Sequence, residues 1–341
     1  MIQAINRNTT IDILKGIAII LVIFAHCIQF GSGPDYLKTQ AFFDNYIFKL
    51  IYSFHMPLFM LISGYLFYYT IQKHSFMHNL KTRFYGLLVP IIIWQTIWTL
   101  CDYQNPNNHN GLYLFNSYLN TLWFLTSVLI NSLIVLVGNK YAKDSPLLYG
   151  MVFVISLFIP NYHGYNIYVF MLPYFLCGYF YNKVGGIGFS MTWKEQISFF
   201  IFLVIPFITL LFFYEVGDYA YTSGTFIIKN HMISISQIHT DIFRWGIGGI
   251  GSLCIILLIN LIYKRNKQSS ILKCLGAIGA KTMGLYIIST YLFKMFHILS
   301  INYFRYTLII FETIIVILIS YLLTWLLEQN KYSKKFLLGG R

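Results

Sequence analysis

Residues 15–27 read KGIAIILVIFAHC. Ten consecutive residues without a polar side chain separate Lys15 from His26. A run this apolar is stable where water is absent, and there the backbone must satisfy its own polar groups, which a helix does. In a helix the eleven-residue step turns about 1100°, within about 20° of three full turns, and rises about 16 Å. Lys15 and His26 therefore share one face at two different depths. That face is either structural, with the lysine reaching for the interface and the histidine bridging helices, or chemical.

Outward from this stretch the same texture continues. Hydrophobic residues make up 57% of the chain and charged residues 10%, against about 25% charged in soluble domains. Apolar runs of bilayer-crossing length, about 20 residues, recur at 11–30, 45–70, 84–101, 122–139, 147–160, 165–182, 196–214, 242–263, 282–297 and 306–328. The pattern predicts an all-α polytopic transmembrane helical bundle of about ten spans, a single domain over 1–341 with no soluble domain and no internal repeat. The first run lacks a small-residue cleavage pattern and reads as a retained span.

The net charge of +13 raises nucleic acid as a partner, and the placement of the basic residues excludes it. With the N-terminus inside, 18 lysines and arginines fall on inner segments and 6 on outer ones. The bias alternates loop by loop, as the positive-inside rule requires of an even number of spans. Both termini are then expected to be cytoplasmic, in a multi-pass cell membrane protein. The five cysteines form no CxxC pair, so no disulfide framework and no metal site is expected.

Polar groups at bilayer depth are costly unless paired or facing a cavity, and each is a candidate for function. Asp12 and Lys15 stand at the inner end of the first span and His26 in its outer half. In the second span, YSFHMPLFMLISGYLF, His55 reaches the depth of His26, and Ser63 with Gly64 lies about two turns deeper; a Ser-Gly pair also permits close helix packing. Glu312 is the one carboxylate well inside an apolar run. It would either orient an imidazole at the depth of His26 or pair with Arg305. Lys81 and Arg83 are ordinary cytoplasmic anchors, or with Lys15 a cationic patch suited to phosphates. Trp123 suits an interfacial belt. The long connection 215–241 carries Tyr219 and Tyr221, whose rings suit either that belt or a polar ligand.

DILKGIAIILVIFAH and FHMPLFMLISGYLF together resemble the acyltransferase-3 family of integral membrane acyltransferases: a basic residue, ten residues and a histidine, then a Phe-x-x-SGxxL segment. The basic run before LLVP, WFL at 123–125, YFLCGYF, GAKTMGLYII and the ending LLEQNKYSKKFLLGG extend the likeness over nearly the whole chain. Gly86 and Ser289 depart from it, standing where the family often has an arginine and a histidine. The resemblance implies transfer of an acyl group, most often acetyl, from cytoplasmic acyl-coenzyme A to a hydroxyl of a cell-surface carbohydrate or its lipid-linked precursor. Acyl-CoA enters as donor substrate, and no cofactor is held. By the match, Lys15, with Lys81 and Arg83, corresponds to the donor phosphate site and His26 to the essential histidine, while Glu312 is similar to an acidic residue of the last span. Asp12, His55, Ser63, Gly64, Trp123, Tyr219 and Tyr221 would line the acceptor side. The rival is a transporter or flippase, for which paired discontinuous helices are the mark.

Overall fold

The computed structural model describes residues 9–31, 36–102, 104–162, 164–184, 191–229, 231–296 and 305–340; Arg7 and Arg341, counted above, lie outside them. Described in chain order, the helices are α1 (Thr9–Phe30), α2 (Gln40–Phe43), α3 (Tyr46–Lys73), α4 (Phe76–Arg83), α5 (Val89–Cys101), α6 (Gly111–Asn120), α7 (Trp123–Ala142) and α8 (Pro146–Leu157). They continue with α9 (Tyr165–Lys183), α10 (Trp193–Phe212), α11 (Ala220–Ser223), α12 (Ile235–Arg265), α13 (Ser270–Ala280), α14 (Thr282–Phe296), α15 (Tyr306–Gln329) and α16 (Lys331–Leu337). A π-helical turn, Phe84–Leu88, joins α4 to α5. Among the described residues, strands are confined to a short antiparallel pair, Ile228–Lys229 with Met232–Ile233.

The all-α membrane bundle is as the sequence predicts, with a lower span count. Among the described residues seven helices are long and apolar enough to cross a membrane: α1, α3, the run Phe76–Cys101, α7, α10, α12 and α15. The pair α13–α14, bent by 73°, makes an eighth if it is one span. The other two predicted segments are helical but fall short. α8 ends three residues before Pro160, and its 12 residues reach about 18 Å of a core about 30 Å thick. α9 carries Pro173 and a series of tyrosines and is not among the seven. The bent pair is the one discontinuous helix pair among the described residues, whereas the transporter reading expects two.

The chain falls into two compact units, Met1–Phe59 with Gly188–Phe213 and Gly248–Tyr321, and Met60–Ile187 with Tyr214–Ile247 and Leu322–Arg341. In the first unit α1 is the core element: Ile13, Leu14, Ala18, Ile19, Val22 and Ile23 are all buried. Its partners are chiefly α13 and α14. Gly16 and Gly279 make the approach possible. A Cβ added at Gly16 would lie 2.0 Å from the Leu275 carbonyl oxygen, and one at Gly279 1.8 Å from that of Asp12. Without a hydrophobic force between helices in lipid, small residues that admit backbone contact set the association. α10 starts from a reciprocal cap, with Glu195 N–H on the Thr192 hydroxyl and Thr192 N–H on the Glu195 carboxylate.

In the second unit the same device joins the end of α3 to α9. A Cβ at Gly64 would meet the Phe175 carbonyl oxygen at 1.9 Å, and one at Gly178 that of Leu61 at 2.0 Å. Just past α7, Asp144 takes a left-handed backbone (φ 58°) and points its buried carboxylate inward. Asn139 Nδ2 (2.9 Å), Tyr149 OH (2.9 Å), Tyr179 OH (2.8 Å) and Lys183 Nζ (3.1 Å) all donate to it. Burial raises the pKa of this carboxyl, the four donors outweigh burial, and the result lies below the ordinary 3.8. A depressed folded-state pKa gives stability that is complete above the unfolded value and lost as pH falls through the folded one. Asp144→Ala leaves Asn139, Tyr179 and Lys183 without this acceptor, while Tyr149 keeps the Val135 carbonyl at 3.1 Å, and is expected to cost about 2–4 kcal/mol. The readouts are a lower thermal midpoint in detergent near neutral pH and loss of the acid-dependent part of the stability curve.

Candidate active site

The residues expected on the polar face of α1 are where the sequence puts them. Asp12 is buried at the first turn and Lys15 donates to its Oδ1 at 3.0 Å. Lys15 keeps 23% of its side chain exposed, and an ammonium group has further protons to give. Three turns on, His26 is half-buried between the rings of Phe30 (5.7 Å) and Phe293 (5.4 Å, edge-on). Its Nδ1 is buried and, among the described residues, has no hydrogen-bond partner.

His55, on α3 in the same unit, is 2% exposed, with Nδ1 2.8 Å from the Ile51 carbonyl oxygen and its ring edge-on to Tyr52. Both histidines belong to the first unit, His26 on α1 and His55 on α3. Glu312, on α15 of this unit, comes to the end of α1 rather than to the imidazole. A Cβ at Gly31 would lie 2.1 Å from Glu312 Oε2, which places the carboxylate against the glycine that ends the helix. Neighbouring Thr313 donates its hydroxyl to the Ile309 carbonyl at 2.7 Å. Neither the expected contact with His26 nor the alternative ion pair with Arg305 is formed here. The sequence carried the approach of Glu312 to α1 but not its height, because Gly31 admits the carboxylate one turn too far along.

The remaining predicted residues belong to the second unit. Gly64 serves helix packing, as above, and Ser63 beside it is half-buried. Arg83 lays its guanidinium 4.5 Å over the Phe67 ring at the entrance to the π-helical turn, and Lys81 is exposed. In this unit Trp94 Nε1 donates to the Leu337 carbonyl (2.9 Å), which seats α16 on α5. Trp123 is half-buried at the first position of α7. Tyr221 is 42% exposed, whereas Tyr219 is fully buried against Tyr214, 5.0 Å between ring centres. A buried ring offers no flat face to a ligand, so of the two tyrosines only Tyr221 suits the acceptor role. The same loop is held at its far end by Arg244, which sequence reading counted only as a charge. Its fully buried guanidinium holds Ser223 Oγ, the Gly224 carbonyl and Asp241, and Gln237 adds bonds to the same carbonyl and carboxylate. Asp241 three residues before Arg244 was the available signal.

The first unit thus holds an ion-paired cation at one end of a helix and, about 16 Å along it, an imidazole with an unengaged nitrogen. That geometry suits a long anionic donor whose reactive end meets a base. Among curated proteins the chain is similar to the nodulation protein NolL of Mesorhizobium japonicum, 29% identical over 224 residues, covering 64% of this chain and 59% of that protein. NolL of Sinorhizobium fredii is 40% identical over 134 residues, covering 38% of this chain and 36% of the relative. The chain therefore spans less than two thirds of each of these relatives. No solved structure matches it. A family profile described as an acyltransferase domain matches residues 8–328, and with the two helical motifs that carry Lys15, His26 and Ser63–Gly64, this chain belongs to the acyltransferase-3 family.

Proposed function

We propose that this protein is a membrane O-acyltransferase that moves an acyl group, acetyl above all, from acyl-coenzyme A to a hydroxyl of a cell-surface carbohydrate or its lipid-linked precursor. The observation that carries the reading is the shared face of α1, with the Asp12–Lys15 pair at one end and the half-open His26 at the other. With both termini cytoplasmic, as the basic residues favour, Lys15 meets the donor from the inner surface. The acceptor approaches His26 from the opposite side. His26 takes the proton of the acceptor hydroxyl as the oxygen attacks the thioester carbonyl. The C–S bond breaks, and the proton passes to the departing thiolate, giving ester and free coenzyme A.

The test is transfer from radiolabelled acetyl-coenzyme A by the purified protein to a panel of lipid-linked sugars. Label in the sugar fraction supports the reading. Donor hydrolysed or untouched with every acceptor overturns it. A charge-assisted phosphate contact is worth about 1.5–3 kcal/mol, so Lys15→Ala is expected to weaken acetyl-coenzyme A binding about 10- to 100-fold. Lys15→Arg keeps the charge and is expected to lose far less. Equal donor affinity in Lys15→Ala and the parent, measured by titration calorimetry, would remove Lys15 from the donor site.

A further inference from the structure

The C-terminal helix α16 is fixed within the second unit by its main chain. Trp94 Nε1 donates to the Leu337 carbonyl oxygen at 2.9 Å. Gly340 N–H returns to the Lys334 carbonyl oxygen at 2.9 Å and closes the helix end. Between these bonds Gly339 takes a left-handed backbone (φ 59°), and a Cβ there would lie 2.1 Å from the Gly86 carbonyl oxygen. That contact falls on the π-helical turn Phe84–Leu88. Lys331, Lys334 and Lys335 of α16 share one face and are exposed. Lys335 Nζ comes to 5.4 Å from the ring centre of Tyr85, and the exposed Lys81 stands one turn before Tyr85 on the same run of helix. Among the described residues no carboxylate pairs with Lys81, Lys331, Lys334 or Lys335. Lys331 and Lys335 are a like-charge pair at a spacing that destabilises a helix, so the cluster costs stability unless an anion joins it.

Beside the cations lies apolar surface open to lipid. Only 17% of the most apolar stretch of Phe76–Cys101 is buried, and Phe84, Tyr85 and Ile92 are 46%, 45% and 43% exposed. We propose that α16 and the start of this span hold an anionic phospholipid of the inner leaflet. Its headgroup phosphate binds Lys335 and Lys81 over Tyr85, and its chains lie along the flank of Phe84 and Ile92. A phosphodiester carrying hydrocarbon chains uses both halves of this surface, whereas a soluble phosphate compound uses the cations alone. With both termini cytoplasmic, as proposed above, the cluster faces the leaflet where anionic lipids collect and where basic residues attract them. The site is complete within the second unit and does not depend on acyl transfer.

The test titrates the full chain, purified in a neutral detergent, with phosphatidylglycerol and with phosphatidylcholine, and follows bound lipid by native mass spectrometry. The parent is expected to retain phosphatidylglycerol in preference to phosphatidylcholine. Each lysine near the headgroup is worth about fivefold in affinity, so Lys81→Ala with Lys335→Ala is expected to weaken phosphatidylglycerol binding about 10- to 30-fold. Lys267→Ala with Lys273→Ala removes the same charge from another inner segment and is expected to stay within about twofold of the parent. Gly339→Ala keeps every lysine but cannot keep its contact with Gly86, and is expected to lose about fivefold, the share of Lys335. Thermal midpoints are recorded for each variant; where the double variant does not fold, Lys335→Ala alone and Gly339→Ala carry the contrast. Parental phosphatidylglycerol affinity in the Lys81/Lys335 variant overturns the site, as does equal binding of the two lipids by the parent. Coenzyme A is the soluble control. A Lys81/Lys335 variant that loses coenzyme A and keeps phosphatidylglycerol assigns these cations to a soluble phosphate ligand and overturns the lipid assignment.

Discussion

His26→Ala is expected to fold and insert as the parent does while losing about 10² to 10⁴ in acyl transfer, the usual range for general-base assistance. The reason lies in what His26 touches. Its ring is wedged between Phe30 and Phe293, contacts that many apolar side chains could supply, and among the described residues its Nδ1 bonds to nothing. Truncation therefore removes no hydrogen bond from the fold and leaves a small cavity beside two phenylalanines. A cavity of this kind costs stability, not turnover per folded molecule. The discriminating measurement is kcat normalised to folded protein, with the thermal midpoint recorded for each variant. Glu312→Gln is expected to lose much less, because its carboxylate lies against Gly31 and no contact links it to the imidazole. Equal turnover in His26→Ala and the parent would end the catalytic role of the histidine.

The second large effect falls on the fold. Gly279→Ala adds one methyl group, and the position it must occupy is 1.8 Å from the Asp12 carbonyl oxygen and 2.8 Å from the Gly16 nitrogen. Both are backbone atoms of α1, so no rotamer change relieves the clash and the helices must separate. Overpacking of this kind typically costs about 1–3 kcal/mol, and a rigid backbone contact belongs at or above the upper end. Gly276→Ala, one turn earlier on the same helix, is the control: its added Cβ would meet only the Ile13 side chain, at 3.9 Å. There the gain in helix propensity, about 0.8–1 kcal/mol, is free to act. The expected result is a clear drop in thermal midpoint for Gly279→Ala and an unchanged or higher one for Gly276→Ala. Similar midpoints for the two variants would show that α1 and α13 are not held at backbone contact. Separation at Gly279 would also displace Asp12, so donor binding through Lys15 is expected to weaken in whatever Gly279→Ala protein survives.

By itself the sequence determined the class of fold and the shared face of Lys15 and His26. Long apolar runs with few charges admit only helices in a membrane, and the eleven-residue step from Lys15 to His26 fixes their shared face, because both follow from local geometry. Helix ends were legible only in part: the run ending at Pro160 matches the early end of α8, whereas α10 starts at Trp193, capped by Thr192 and Glu195, ahead of the run read from 196. Tertiary structure decided everything that depends on which helix lies against which. Gly16, Gly279, Gly64 and Gly178 look alike in sequence to Gly276, yet only a neighbouring backbone tells which of them has no room for a methyl. Asp144 reads as a surface loop residue until Asn139, Tyr149, Tyr179 and Lys183 converge on it. Tyr219 and Tyr221 differ by two positions, yet one ring is buried against Tyr214 and the other is left open. Glu312 approached α1 at Gly31 instead of His26, since a glycine admits a carboxylate where any other residue would turn it away. Contacts between residues far apart in sequence are set by packing of whole surfaces, and no periodicity within a single helix encodes them.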